Sequence, residues 1–143
     1  MSRFSMFMKG NKTVKENGFY APTKSLCDEN GKPLEFEFKH LSSKENEDLR
    51  ESCTVEVPVT GKPNMYRQKF KGSLYVQKLL AASVVYPDLY DKELQDSYGV
   101  MTPEDLILAL VDDPGEYTAL CSWIQEFQGF NISLEDKVKE AKN

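Results

Sequence analysis

The chain has 143 residues, 40% hydrophobic and 29% charged, which is apolar enough for one packed core and too apolar for a disordered chain. Eighteen Lys and Arg against 23 Asp and Glu leave a formal charge of −5, so neither nucleic acid nor an anionic membrane is an expected partner. No run reaches membrane-spanning length and the apolar patch near the N-terminus is too short for a secretory leader, so the protein is expected to stay inside the cell that makes it.

Residues 1–20 mix basic, polar and aromatic side chains around Gly10 and Gly18 without a sustained period, and are expected to be flexible. Phe4, Met6, Phe7 and Met8 stand out there as adaptable side chains suited to protein contact. Asn30-Gly31 then offers a tight reversal between 24–27 and 34–40, which predicts a β-hairpin. Leu34, Phe36, Phe38 and His40 alternate with Glu35, Glu37 and Lys39, so one face of this strand should be buried. His40, the lone histidine, is expected to be a satisfied strand-end residue rather than a ligand or base, because no Cys or carboxylate cluster stands near it in sequence.

Ser42 with Glu45 forms a capping box and opens a short helix over 42–53, with Leu41, Leu49 and Cys53 on its inner edge and a Lys44/Asp48 pair on its wet face. Val55, Val57 and Val59 restore a period of two, Pro58 marks an edge strand or a strand end, and 61–64 turns the chain so that 65–69 can pair back. The stretch 74–89 is apolar on nearly every side and predicts a central helix, with Gln77 and Lys78 as its wet positions, that stops near Tyr86 because of Pro87.

Beyond it the punctuation is explicit. A helix over 91–98 ends at Gly99; Thr102 and Pro103 start the next, with Leu106, Ile107, Leu110 and Val111 on one face. Asp113, Pro114 and Glu116 start a third, whose stripe is Tyr117, Leu120, Cys121, Ile124 and Phe127 and whose end is Gly129. Ser133 with Asp136 could open a last, fraying helix. The expected architecture is therefore one α+β, mostly helical domain over 1–143: a flexible segment 1–20, a β-containing part 21–69, a four- or five-helix part 70–130 and a frayed tail 131–143.

No hydrolase, metalloprotease, zinc or phosphate-loop motif is present, and Asp88, Asp91 and Glu93 suit a turn and a helix start better than a cation site. No catalytic, metal-binding or cofactor-binding residue is expected. Cys27, Cys53 and Cys121 lack metal spacing and are read as free thiols.

The string Ser83-Val84-Val85-Tyr86-Pro87-Asp88-Leu89, followed by Asp91-Lys92-Glu93-Leu94-Gln95-Asp96-Ser97-Tyr98-Gly99-Val100, then Gly115-Glu116-Tyr117 and Gly129-Phe130, resembles the phage XkdN-like tail assembly chaperone family, with Cys53-Thr54 also in place. The resemblance covers about residues 43–130. It implies a non-enzymatic protein of the host cytoplasm, absent from the mature particle, that holds the tape measure protein soluble and helps tail tube protein polymerise in a contractile phage, prophage or phage-tail-like particle. It also implies that a longer frameshifted form of the chain could be a partner. The contact positions expected on this reading are Phe4, Met6, Phe7, Met8, Tyr90, Tyr98, Trp123, Phe127 and Phe130, binding through apolar area because Lys and Arg look scattered. A structural tail or baseplate adaptor is the alternative, with the strand-bearing half as its assembly surface; a small acidic inhibitor is a third.

Overall fold

The computed structural model describes residues 3–130. Its centre is α2 (Gly72–Ser83), which buries Tyr75, Leu79, Leu80, Ala81 and Ser83. It packs against α1 (Ser43–Ser52), α4 (Pro103–Leu110) and α5 (Pro114–Phe127). Leu106, Ile107, Leu120 and Ile124 from α4 and α5 are fully buried in the same cluster, each worth about 1.5–3 kcal/mol of transfer free energy. Gln77 is half-buried rather than wet, since its Nε2 donates to the Glu104 carbonyl at 3.0 Å.

The central helix ends three residues earlier than the proline rule placed it. Val84–Tyr86 is a strand, β5, because two β-branched valines and a residue preceding proline all favour extended backbone. The middle strand β2 (Phe36–Phe38) also offers β5 an edge. The result is a three-stranded antiparallel sheet in the order β1-β2-β5, in which β1 is Gly18–Tyr20. Phe36 and Phe38 point into the core from β2, as their alternation required.

The hairpin expectation therefore needs correcting. The Asn30-Gly31 reversal is present, with Gly31 at φ +80°, and the Leu34 N–H reaches the Leu26 carbonyl at 2.8 Å. The pairing goes little further as a hairpin: residues 27 and 33 form an isolated bridge, and Pro33 has no N–H with which to extend a ladder. β2 pairs instead with Gly18–Tyr20, a strand too short to show a period in the sequence. Gly18 is required there because a Cβ would lie 2.5 Å from the Phe127 ring.

The helix caps fall where the sequence put them. Ser42 and Glu45 form the complete capping box of α1, and Lys44 meets Asp48 at 3.6 Å. Asp91 caps α3 (Lys92–Ser97), with Gly99 at φ +70°, and Thr102 caps α4 ahead of Pro103. Asp113 sits at the N-cap of α5 but its side chain makes no cap bond. Glu116 turns outward from that helix start, accepting from the Thr23 hydroxyl and the Lys24 N–H at 2.8 Å each, and so fastens the loop after β1.

Gln128, just past α5, ties three segments together. Its Nε2 donates to the Lys39 carbonyl at 3.0 Å and to Ser83 Oγ at 2.9 Å, while its Oε1 accepts from the Leu41 N–H at 3.0 Å. Away from this body, β3 (Thr54–Pro58) and β4 (Tyr66–Phe70) form a separate two-stranded ribbon, as the return of 65–69 predicted, with Pro58 at a strand end. Among the described residues helix accounts for about 45% and strand for about 16%, so the class is α+β and "mostly helical" overstates it. The helix expected around Ser133 and Asp136 lies outside the described residues.

Candidate partner-binding surfaces

The contact positions expected from the sequence separate into three environments. Phe4, Met6, Phe7 and Met8 lie on or between two short 3-10 turns, Arg3–Phe7 and Lys9–Asn11, and are 63–85% exposed. A 3-10 turn eclipses side chains three apart, so Phe4 and Phe7 share a side. The turns are held by backbone bonds from Asn11 to Met8 and from Lys12 to Lys9.

Tyr90 and Tyr98 flank α3, with Tyr90 72% exposed in the turn before it and Tyr98 at its C-cap. Tyr98 borders a small cavity of about 200 Å³ with Leu26, Leu34, Pro87 and Leu94, whereas Tyr90 borders another beside Ala82 and Val85. Trp123 and Phe127 are half-buried and stacked, with centroids 4.9 Å apart. Tyr20 lies on the outer side of Trp123 at 4.7 Å, and His40 lies on Phe127 at 3.9 Å. This column packs against the core, so substitutions in it disturb the fold as well as any surface. Phe130 is exposed beyond the end of α5, with its N–H on the Gln125 carbonyl.

The ribbon adds positions the sequence reading missed. Met65, Tyr66 and Phe70 are exposed, as is every residue of β4. The signal available was a strand pair with no third strand to cover it. Arg50 lies over the Phe70 ring at 4.7 Å and fastens the base of the ribbon to α1.

Charge is also less scattered than it looked. Residues 1–15 carry four basic and no acidic side chains; residues 54–71 carry Lys62, Arg67, Lys69 and Lys71 against Glu56 alone; residues 72–130 carry ten acidic against two basic. The protein thus has two basic projections on an acidic helical body.

Of the titratable groups, Tyr117 is pushed up to about 12 by burial, and burial likewise raises the neighbouring Cys121 thiol. A thiol so placed is unreactive at neutral pH. All three cysteines are free, and Cys27 is exposed while Cys53 is buried. His40 departs from the satisfied state expected of it: Nδ1 is buried without a hydrogen-bond partner. Burial first, then the Lys15 charge, push its pKa down, partly opposed by a backbone contact with Glu16. Among the described residues, no three His, Cys, Asp or Glu gather as a metal site, and no helix is long and apolar enough to cross a membrane.

The α+β fold thus carries exposed aromatic and methionine side chains on its projections. The family model of the phage XkdN-like tail assembly chaperone protein matches residues 4–142, and the chain belongs to that family. It is 26% identical over 140 residues to the phage-like element PBSX protein XkdN of Bacillus subtilis (strain 168), covering 97% of this chain and 93% of that one. It is 25% identical over 139 residues to the YqbN protein of the same strain, at 97% and 92% coverage. The crystal structure of the protein YqbN superposes with a TM-score of 0.74 at 21% identity, over 92% of this chain and 99% of that one, so the two share a fold.

Proposed function

We propose that the protein binds the tape measure protein and assists tail tube assembly in a contractile phage, prophage or phage-tail-like particle, working in the host cytoplasm and leaving the finished tail. The observation that carries this reading is family membership across nearly the whole chain. The similarity to a protein of the phage-like element PBSX favours a prophage or tail-like setting. The exposed Phe4, Met6, Phe7 and Met8 supply the physical means: unpacked, adaptable apolar side chains at the end of a charged, soluble body.

Such a contact surface holds an amphipathic client through buried apolar area, reversibly and without a fixed sequence requirement. The complex is expected to persist near about 0.5 M salt, where screening cuts electrostatic reach to a few ångströms. Co-expression with the neighbouring tape measure protein, followed by pull-down, tests it. Replacing Phe4, Met6, Phe7 and Met8 by Ser should abolish retention while circular dichroism stays unchanged. Retention unaffected by that change would show that these side chains are not the contact. Purified mature tails should lack the protein; its presence there, with no client retained in solution, would replace the chaperone by a structural adaptor.

A further inference from the structure

A groove of about 670 Å³ runs between the N-terminal segment and the start of α1. Lys9, Lys12 and Lys15 line it together with His40, Ser43 and Gln128. None of the three lysines makes an ion pair among the described residues, where the pairs are Lys39–Glu45 and Lys44–Asp48. The one acid on the wall, Glu45, is already engaged: it accepts the Ser42 N–H at 3.1 Å and faces Lys39 at 3.7 Å. The wall is therefore positive on balance, and the N-terminal end of α1 adds to that sign.

The histidine gives the groove a second requirement. Its ring is stacked against Phe127, and Nδ1 is left buried without a partner at the edge of the groove that His40 lines. A buried polar atom in that state costs free energy that a ligand can recover. Around the ring, the charged groups of the same groove are Lys9, Lys12 and Lys15 from the N-terminal segment and Glu45 from α1, while Phe127 of α5 and Gln128 just past it are uncharged.

We propose that this groove binds an acidic peptide segment, whose carboxylates pair with Lys9, Lys12 and Lys15 and take a hydrogen bond from a protonated His40 Nδ1. Three unpaired lysines on one groove favour a peptide with several carboxylates over one small anion, which neutralises fewer of them. The lining has no Phe, Tyr or Trp on which a nucleic-acid base could stack. The proposal stands apart from the tape measure reading: it holds whichever protein supplies the peptide, and it predicts salt-sensitive binding where the apolar contact is salt-resistant.

The chain has a single histidine, so the imidazole signal in NMR spectra of the full-length protein reports on this site alone. Titration with hexaglutamate at low salt should shift that signal saturably and raise the pH at which His40 protonates, because a carboxylate both partners Nδ1 and offsets Lys15. Salt near about 0.5 M should remove the effect. Replacing Lys9, Lys12 and Lys15 together by Glu, or by Gln should the reversal perturb folding, should weaken binding by more than about tenfold. Inorganic phosphate and hexalysine at matched concentration should produce no saturable shift. The proposal is overturned by an unmoved His40 signal, by equal binding in the triple variants, by phosphate binding as tightly as hexaglutamate, or by a single-stranded oligonucleotide binding more tightly than the peptide. Since the tape measure contact is read by salt-resistant pull-down and this one by the histidine signal, either can fail without the other.

Discussion

Around Gln128, three segments distant in sequence are drawn together by one side chain, Ser83 is buried, and the neighbouring Leu79 and Leu80 have no exposed surface. In β4 every residue is exposed, and the ribbon joins the body through α1 and the Arg50 stack on Phe70. The first region is specified by long-range burial, the second by local turn chemistry: Gly61 and Asn64 at positive φ and the five-pair register of β3 with β4. The difference teaches where side chains are free to serve contact. A residue that contributes nothing to the core can be apolar or basic without penalty to the fold, and both kinds are concentrated in the ribbon and the N-terminal turns.

The sharpest way to break that contrast is to truncate the centre. Leu80→Ala should cost about 2–5 kcal/mol in chemical denaturation, because the side chain is fully buried. Gln128→Ala comes next, at about 1–3 kcal/mol, since it removes the partner of the Leu41 N–H and strands part of the Ser83 environment. Ser42→Ala should cost about 0.5–2 kcal/mol through loss of the α1 cap. The same cap carries a pH signature. Glu45 is held below the usual glutamate range, first by the Ser42 N–H, so its contribution is present above the unfolded value and fades as pH falls through the folded one. Wild type and Glu45→Ala should therefore converge in stability on acidification, whereas Ser42→Ala keeps the backbone N–H that holds the carboxylate. Smallest of all, Tyr66→Ala or Arg67→Ala in the ribbon should stay within about 0.5 kcal/mol of wild type. A ribbon substitution as costly as Leu80→Ala would mean that the ribbon is packed against something in solution.

Local signals were legible in the sequence. The capping box at Ser42, the Thr102-Pro103 start and the glycine stops at 99 and 129 all act within four residues, and each is realised. What the chain does across long separations was not legible. Proline rules bear on Tyr86 alone, so they could not show that Val84 already leaves the helix to pair with β2. Gln128 and Glu116 reach residues 87–93 positions away, and neither looks different from a surface polar residue until those partners arrive. Among the contact candidates, the N-terminal apolar residues stood out in the sequence because they follow no period, and the structure leaves them exposed. The lysine groove beside them was missed because His40 and Lys15 meet only once β1 is docked along β2.

The aromatic column has a use of its own. Trp123 is the chain's one tryptophan, and it sits between Tyr20 on one side and Phe127 on the other, with Phe38 beside it. Its fluorescence therefore reads a junction of three chain segments rather than helix formation, which far-ultraviolet circular dichroism follows separately. If the N-terminal strand peels away before the helices melt, the emission will move first, and the two optical records will part company along the denaturation curve.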